Sequence, residues 1–290
     1  MTSTTNSIAS QFWQWQGHDI HYQVAGDGGS ILLIHGFGAS VGHWRKNILP
    51  LAAKYRVYAI DLLGFGASAK PRPSSTLAYS FETWGQQLAD FCREVIGTPV
   101  ILVGNSIGAI AAMQAAIYLP QLVTKVVMIN CSLRLLHQTK QASLPWYRRI
   151  GSRIVQQILQ NRAIAQIFFA QIRQPQAIRN ILKQAYYQSQ AITPELIDIL
   201  LKPAFDPHAV DVFVAFISYS YGPTPEQLLE ILPCDAVILW GEQDPWEPIE
   251  LGKEFQKYSC VRDFISIPNA GHCPQDEVPE VVNQILLALN

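Results

Sequence analysis

The sequence lacks the features that mark several large classes of protein. No apolar run approaches the ~18 residues that a membrane-spanning helix needs. The first residues show no charged stretch followed by an apolar one, so we expect no secretory signal peptide. Only 15 % of the 290 residues are charged and the net charge is -1, which excludes a globally basic nucleic-acid binder. We therefore expect no transmembrane helix and no nucleic-acid partner.

Paired cysteines are missing as well. The chain has five cysteines, an odd number, and they are scattered without a CxxC motif. Neither a disulfide framework nor a zinc site is therefore expected. A chain of this length with 49 % hydrophobic residues can bury a sizeable core without disulfides or bound metal. The sequence predicts neither a metal nor a cofactor.

What the sequence contains instead is an alternation of short apolar runs and helical patterns. Runs of Val, Ile and Leu without polar alternation are typical of parallel strands that are covered on both faces. Their alternation with helices predicts the α/β class, with a doubly wound, mostly parallel sheet. One of the predicted helices covers residues 43–55. The predicted strands are an opening hairpin followed by residues 30–36, 55–61, 99–105, 125–131, 236–242 and 263–269.

The alternation stops between residues 132 and 230, where the apolar residues follow a helical period throughout. Thr193 and Asp206 each precede a proline, a pattern that is typical of a helix start. We predict a core domain made of residues 1–131 and 231–290. Residues 132–230 are predicted to form a helical cap, or lid, inserted after the sixth strand.

Charge is unevenly distributed along the chain. Residues 131–190 contain nine Lys or Arg and no Asp or Glu. One interpretation is a basic face of the cap that docks on anionic lipid or on another protein, since each basic residue near an anionic bilayer contributes ~1 kcal/mol. Charge reversal at Arg148, Arg149 and Arg153 would then weaken binding to membranes. The other interpretation is a set of solvated arginines that share no common face.

The segment Gly104–Gly108 fits the motif G-x-S-x-G and lies between a predicted buried strand and an Ala-rich helix. In that context the motif predicts a tight strand-to-helix turn that lifts the Ser106 hydroxyl above the sheet as a nucleophile. The glycines are needed because a Cβ at either position would crowd the turn. The alternative is an ordinary turn in which Ser106 caps the helix.

A serine hydroxyl needs a base, and the base needs a group that orients it. Asp244 follows the predicted strand 236–242, and His272 follows 263–269. The order Ser, acid, His is the order in which this motif's fold carries them. We predict the catalytic residues Ser106, Asp244 and His272, with Glu242 and Glu247 as alternative acids. Packing or surface roles are expected for His18, His21, His137 and His208.

Acyl transfer also needs an oxyanion hole, whose donors point to the place where negative charge develops. One predicted donor is the backbone N–H of Ile107, directly after the nucleophile, and the other is the N–H of Phe37 in the loop after the third strand. We expect His35 to brace that loop. Asp61 is expected to fix the next turn through hydrogen bonds to backbone groups.

The motifs HGFGAS, DLLGFGAS, GNSIGA, GEQDPW and GHCPQDEVPEVVN occur in this order along essentially the whole chain. In them the chain resembles the α/β-hydrolase superfamily. GEQDPWEPIELGK and NAGHCPQDEVPEVVN are similar to the chlorophyll dephytylase and pheophytinase branch of plants and cyanobacteria. The resemblance implies the α/β-hydrolase fold, with Ser106, Asp244 and His272 in the catalytic roles. It further implies hydrolysis of the phytyl ester of chlorophyll or pheophytin, which gives chlorophyllide or pheophorbide.

Such a substrate would need an apolar cleft, since buried apolar area contributes ~25 cal/mol per Å². Phe37 and Trp246 lie near predicted strand ends, and Phe168, Phe169 and Tyr186 belong to the predicted cap; all five are predicted to bind substrate. The alternative for the cap aromatics is packing within the cap itself. The absence of a transit peptide suits a cyanobacterial protein, in the cytoplasm or on the surface of the thylakoid membrane. With the resemblance, the expected partners of the basic cap become anionic thylakoid lipid or pigment proteins.

Other functions share much of this pattern. Epoxide hydrolases and haloalkane dehalogenases have the same architecture but need an Asp where this chain has Ser106. Carboxylesterases, carbon–carbon bond hydrolases and cofactor-free haloperoxidases keep the serine and remain open. A receptor or binding module with weak turnover is a further alternative, because a fold does not determine a function.

Overall fold

A single mostly parallel sheet organises the molecule. The computed structural model describes residues 7–135, 137–141 and 162–289. Eight strands in these ranges form a sheet in the order β1-β2-β4-β3-β5-β6-β7-β8. β2 is antiparallel to both β1 and β4, and the other neighbours are parallel. The strands are β1 Ala9–Trp15, β2 His18–Ala25, β3 Gly29–Ile34, β4 Tyr55–Ile60, β5 Val100–Asn105, β6 Val123–Ile129, β7 Asp235–Gly241 and β8 Val261–Ile267.

This sheet confirms the fold class that the alternation of apolar runs predicted. The strand ends differ by up to two residues from the prediction, and β6 and β8 both lie two residues earlier than predicted. β6 ends at Ile129 rather than at residue 131. Cys131 is fully buried although it lies beyond the strand. An apolar run therefore marks buried chain, and it does not show where the chain leaves the sheet.

The predicted helix over residues 43–55 is wrong. The structure has a 3₁₀ turn at Val41–Trp44 and a short helix at Ile48–Leu51 in its place. Pro50 has no N–H to donate to the carbonyl of Lys46, so one continuous helix cannot run through this stretch. The other helical elements outside the segment between β6 and β7 are Phe81–Phe91, Cys92–Ile96, Ile107–Tyr118, Ile249–Lys253, Glu254–Lys257, Pro274–Glu277 and Pro279–Ala288.

The hydrophobic core has two layers, one on each face of the sheet. The helix Ile107–Tyr118 is apolar and buried nearly all round, and it contacts both the sheet and the helix Phe81–Phe91. Trp84 and Phe91 belong to this layer. The second layer covers the opposite face of the sheet. It contains the fully buried Trp44 together with Ile48, Val282 and Leu286.

The segment between β6 and β7 contains helices and no strand where the structure describes it. Its helices contribute to two small clusters, and Val212, Leu228 and Leu229 pack into the large core cluster beside the sheet. The division of the chain into a core and a cap stays a prediction. Across the ranges that are described, no helix is both long and apolar enough to cross a membrane. The helical elements of this segment are Gln138–Gln141, Arg162–Ile172, Pro175–Ala185, Ser189–Ala191, Pro194–Leu201, Lys202–Phe205, Ala209–Ile217 and Pro225–Ile231.

The carboxyl ends of the parallel strands meet at one edge of the sheet. Ile34 pairs with Gly104, and Asn105 pairs with Ile129. β4 lies on one side of β3 and β5 on the other. Such a reversal of strand order leaves a crevice between the loops that follow the two strands, and ligands of open α/β sheets bind there. The loops after β3, β5, β6, β7 and β8 therefore gather at one place.

Candidate active site

Ser106 occupies the turn between β5 and the helix Ile107–Tyr118 in an unusual backbone conformation, with φ 54° and ψ -118°. A non-glycine residue in such a region costs ~1–3 kcal/mol and persists only where the surroundings hold it. The Ser106 N–H donates to the carbonyl of Ile129 at 2.9 Å, and the Ser106 carbonyl accepts from the N–H of Ala109 at 3.1 Å. Bonds to a neighbouring strand and to the helix thus fix the turn.

The glycines on either side of Ser106 leave no room for a side chain. A Cβ on Gly104 would lie 2.3 Å from the carbonyl oxygen of Gly108. A Cβ on Gly108 would lie 2.5 Å from the carbonyl oxygen of His35. Both separations are far below van der Waals contact, so the tight turn requires glycine at both positions. The steric reason given for these glycines from the sequence is confirmed.

Asp244 is the carboxylate that contacts His272. The Nδ1 atom of His272 donates to Oδ2 of Asp244 at 2.8 Å, and both side chains are buried. The other oxygen, Oδ1, accepts from the backbone N–H groups of Trp246 at 2.8 Å and Glu247 at 3.1 Å. Glu242 is exposed to solvent. Of the two, the structure therefore brings Asp244 to the imidazole.

Asn130 also holds this carboxylate, and the sequence analysis missed it. Its Nδ2 donates to Oδ2 of Asp244 at 2.7 Å and to the carbonyl of Gly271 at 3.3 Å. Its Oδ1 accepts from the N–H of Gly241 at 3.0 Å. A polar residue directly after the buried strand β6 was the available signal. Asn130 thereby ties the loops after β6, β7 and β8 together.

The backbone of His272 is fixed on both sides. Its N–H donates to the carbonyl of Ala185 at 2.9 Å. Its carbonyl accepts from Nδ2 of Asn105 at 3.1 Å, and Asn105 directly precedes Ser106 in the chain. The loop of His272 is thus bonded both to the turn that carries Ser106 and to the end of the helix Pro175–Ala185.

Glu277 clamps the same loop to the segment between β6 and β7. Its Oε1 accepts from the N–H groups of Gly271 at 3.0 Å and Cys273 at 3.2 Å. Its Oε2 accepts from the N–H groups of Tyr187 at 2.7 Å and Gln188 at 2.9 Å. Burial raises the pKa of the Glu277 carboxyl, and the four backbone donors oppose that rise. This residue positions His272 through the backbone.

The two predicted oxyanion donors lie in segments that meet at Ser106. A Cβ on Gly36 would lie 3.3 Å from Cβ of Ser106, so the loop after β3 passes close to the serine. Phe37, the next residue in that loop, lines the same cavity as Ile107. Ile107 begins a helix, and the first N–H groups of a helix have no partner within it. Phe37 and Ile107 thus lie beside Ser106 in the chain or in space, and their role as oxyanion donors stays a prediction.

His35 and Asp61 brace the neighbouring loops, as the sequence predicted. His35 Nδ1 donates to the carbonyl of Gly36 at 2.7 Å, and its Nε2 accepts from the N–H of Leu62 at 3.1 Å. Burial lowers the pKa of His35, so the imidazole is neutral. Asp61 accepts from the N–H groups of Val41 at 2.7 Å and Ala67 at 2.8 Å, and from His21 Nδ1 at 2.7 Å.

Ser106 and His272 share the wall of a cavity of about 460 Å³. That volume is typical of small-molecule sites. Most of the wall is aliphatic or aromatic. Phe168 is not part of it, contrary to the prediction: the ring is 44 % exposed, because consecutive helical residues point ~100° apart and Phe169 takes the inward position. The other four predicted substrate-binding residues, Phe37, Phe169, Tyr186 and Trp246, do line the cavity.

One polar network in the wall is also absent from the sequence analysis. His43 Nε2 bonds to the Tyr186 hydroxyl at 2.7 Å, and that hydroxyl donates to Oδ2 of Asp276 at 3.0 Å. Arg45 and Lys46 pair with the other oxygen of Asp276 at 2.9 and 3.0 Å. Burial lowers the pKa of His43 to about 4. This part of the wall is therefore hydrogen-bonded internally, with a neutral imidazole.

Glu247, one of the alternative acids of the sequence analysis, lies in the same wall. Its Oε2 accepts from the N–H of Leu133 at 3.1 Å. Burial raises the pKa of Glu247 to about 7. In the described ranges, no group of three or more His, Cys, Asp and Glu side chains is arranged to hold a metal ion.

Comparison with known proteins places this geometry in a family. The sequence pattern of the "Alpha/beta hydrolase family" matches residues 31–285. The chain belongs to the alpha/beta hydrolase family. Within that family it is 28 % identical to the chloroplastic pheophytinase of Arabidopsis thaliana over 92 % of this chain and 63 % of the relative, so it spans less than two thirds of that protein's length. It is 29 % identical to epoxide hydrolase 3 of Xenopus tropicalis over 93 % of this chain and 74 % of the relative.

A solved structure of this alpha/beta hydrolase fold is a serine hydrolase involved in carbazole degradation. It matches with a TM-score of 0.77 at 22 % identity, over 97 % of this chain and 98 % of that one. At this identity the likeness concerns the fold alone. The curated relatives carry several different hydrolase names, so family membership establishes a hydrolase fold and leaves the substrate to be argued from the site.

Proposed function

We propose that the protein is an ester hydrolase that uses Ser106 as its nucleophile. The observation that carries this proposal is the 2.8 Å bond from His272 Nδ1 to Asp244, with His272 and Ser106 on the wall of one cavity. A carboxylate on Nδ1 holds the imidazole in the tautomer whose Nε2 can accept a proton. Ester hydrolysis is the reaction that a serine, an oriented imidazole and backbone donors serve most directly.

In the first half of the proposed reaction, Ser106 Oγ attacks the ester carbonyl carbon while His272 Nε2 takes the hydroxyl proton. The N–H groups of Ile107 and Phe37 donate to the oxyanion that forms. The imidazolium then gives its proton to the leaving alcohol, and the acyl group stays on Ser106. In the second half, His272 takes a proton from water, which attacks the acyl-enzyme and releases the acid. Asp244 stays ionised throughout and stabilises the imidazolium.

The proposed substrate class is an ester of a large apolar alcohol, and specifically the phytyl ester of pheophytin or chlorophyll. The mostly apolar wall beside Ser106 supports this, because an isoprenoid chain binds through buried area. The similarity to pheophytinase also supports it. Epoxide hydrolysis is disfavoured, since Ser106 stands where that chemistry needs an aspartate.

The substrate is tested by incubating the protein with pheophytin a, chlorophyll a and p-nitrophenyl hexanoate, with Ser106→Ala as control. We expect release of phytol from one of the pigments, detected by chromatography, at a higher kcat/KM than for the short ester. Turnover of the short ester alone would favour a carboxylesterase. No turnover of any ester under conditions where the protein is folded would favour a binding module.

We propose in addition that the segment between β6 and β7 docks on anionic membranes, where such pigments reside. Four of the nine basic residues in 131–190 have other roles: Arg134 lies 4.8 Å from the Phe81 ring centroid, Lys140 pairs with Glu226 at 2.6 Å, Arg162 pairs with Asp211 at 3.2 Å, and Arg173 lies 5.7 Å from the Phe205 ring centroid. Arg179 and Lys183 follow in the helix Pro175–Ala185. Arg148, Arg149 and Arg153 lie outside the described residues.

Docking predicts sedimentation with anionic liposomes at low salt and release at high salt, because such attraction is screened by ions. The double charge reversal Arg179→Glu and Lys183→Glu should weaken sedimentation and leave short-ester turnover unchanged. Lys257→Glu, an exposed lysine after β7, serves as a matched control. Binding that is absent at low salt, or indifferent to salt, would contradict the electrostatic form of this proposal.

A further inference from the structure

Glu247 is held in place by its backbone at the edge of the reacting groups. Its N–H donates to Oδ1 of Asp244 at 3.1 Å, and its carbonyl accepts from Nε1 of Trp240 at 2.9 Å. Glu247 lines the cavity together with Ser132, Ser106 and His272. The carboxyl group is thus fixed in the same wall as the nucleophile and the base.

The hydrogen bonds to this carboxyl group come from two uncharged donors. The N–H of Leu133 donates to Oε2 at 3.1 Å, and the Ser132 hydroxyl also hydrogen-bonds to the carboxylate. Among the residues that the structure describes, no lysine or arginine forms an ion pair with it. The titratable groups that face it are His272, whose positive form favours the carboxylate, and Asp244, which disfavours it. The Cys131 thiol, just beyond the end of β6, also faces it.

The other polar side chains of the wall are largely used within the protein. Lys70 Nζ donates to the carbonyls of Gly66 at 2.7 Å and Ser68 at 3.1 Å. Asn105 Nδ2 donates to two backbone carbonyls, and His43 bonds to Tyr186. Beyond the catalytic groups, Glu247 and Ser132 form an adjacent polar pair in this wall. A carboxyl group offers two oxygens and, when protonated, a donor.

We propose that Glu247 and Ser132 form a polar subsite that binds a second carbonyl or hydroxyl oxygen of the substrate, close to the ester that Ser106 attacks. The preferred esters would then carry an oxygen substituent near the ester in an otherwise apolar molecule. This inference rests on the proposed ester hydrolysis and names a further property of its substrates. An ester without the substituent leaves the carboxyl group without its partner, and sites built to bind a substrate oxygen discriminate against analogues that lack it.

The experiment compares ethyl hexanoate with ethyl 3-oxohexanoate and ethyl 3-hydroxyhexanoate in a pH-stat assay. For each protein, we take the ratio of kcat/KM for an oxygenated ester to kcat/KM for ethyl hexanoate. Dividing the wild-type ratio by the ratio in Glu247→Leu removes differences in intrinsic reactivity, and this quotient is called the preference. We expect a preference of ~10-fold in the wild-type protein, because one hydrogen bond to a buried group supplies about that factor. Glu247→Gln, which keeps a donor and an acceptor, should retain most of it.

The pH dependence separates a binding role from a structural one. The protonated carboxyl group can donate to the ketone, but the carboxylate cannot. The preference for the 3-oxo ester should therefore fall as the pH rises through about 7, the pKa of Glu247. The preference for the 3-hydroxy ester should persist, because its hydroxyl can donate to the carboxylate. Glu247→Gln should show no such fall, and the control Glu250→Gln, an exposed carboxylate, should behave as the wild type.

Equal preferences in the wild-type protein and in folded Glu247→Leu would overturn the subsite and leave ester hydrolysis standing. So would a preference of Glu247→Gln for the 3-oxo ester that falls with pH as in the wild type. If no ester is hydrolysed, the proposed function fails instead, and the subsite is tested by calorimetry. Wild-type protein should then bind ethyl 3-hydroxyhexanoate ~10-fold more tightly than ethyl hexanoate, with the difference lost in Glu247→Leu. Equal affinities would overturn the inference.

Discussion

Ester hydrolysis by Ser106→Ala is expected to be ~10³- to 10⁶-fold slower than by the wild-type protein, with little change in melting temperature. The substitution removes the oxygen that would form the acyl-enzyme and keeps the Cβ in the strained turn. The hydrogen bonds that hold this turn use the backbone N–H and carbonyl of residue 106, so they survive the change. Residual activity would come from the oxyanion donors and from substrate binding.

The measurement is initial-rate kinetics on the best ester of the substrate panel, with circular dichroism melting as the test of folding. Ser189→Ala, at an exposed serine of the segment between β6 and β7, is the matched control and should keep full activity. A Ser106→Ala protein that folds normally and keeps near wild-type turnover would show that this serine is not the nucleophile.

The second large effect is expected for Asp244→Asn, at ~10⁴-fold in kcat. An amide at this position would present an N–H to two donors, His272 Nδ1 and Asn130 Nδ2, which now share the Oδ2 oxygen. The imidazole would lose the partner that fixes its tautomer and stabilises its positive form. Glu242→Gln should change kcat by less than ~2-fold, because Glu242 is exposed and surface changes have small effects.

Steady-state kinetics over a range of pH checks this ranking, and the melting temperature of each variant reports on folding. A strong loss of kcat in Glu242→Gln together with near wild-type turnover in Asp244→Asn would move the role of the acid to Glu242. Equal and modest losses in both would indicate that neither carboxylate orients His272.

The parts of the site that the sequence could predict are those with strong local signals. Gly104 and Gly108 are required because a Cβ at either position would clash within the turn or with the backbone of His35. The apolar strand β5 before them shows where this turn lies in the sequence. Asp244 and His272 each follow such a strand, and parallel strands end at one edge of a sheet. For these residues, local pattern and global fold point to the same place.

The parts that the sequence did not predict depend on contacts between distant segments. The hydrogen bonds that join His43, Tyr186 and Asp276 connect three parts of the chain whose relative placement no local pattern specifies. Asn130 escaped notice because it was assigned to the strand, although its amide completes the environment of Asp244. Phe168 and Phe169 are adjacent phenylalanines, so the sequence gives the same expectation for both. Only the packed helix shows that Phe169 lines the cavity and Phe168 is exposed.

The basic composition of the segment between β6 and β7 shows a further limit of sequence reasoning. Arg134 donates to the carbonyls of Pro223 at 2.6 Å and Tyr221 at 2.7 Å and lies 4.9 Å from the Tyr219 ring centroid. It therefore holds two ends of the segment together. A count of positive charges cannot separate such residues from those that face solvent, because guanidinium groups serve both purposes.

The most direct test of the central claim is to trap the acyl-enzyme and map the modified residue by mass spectrometry. The protein is mixed with p-nitrophenyl hexanoate or with the pigment ester that it hydrolyses, quenched in acid within the first turnover and digested. The account predicts the mass of the acyl group on the peptide that contains Ser106, and less of it at the same time point in Asp244→Asn. An acyl group on a different residue, or rapid turnover in which a fluorophosphonate inhibitor neither blocks activity nor modifies Ser106, would contradict it.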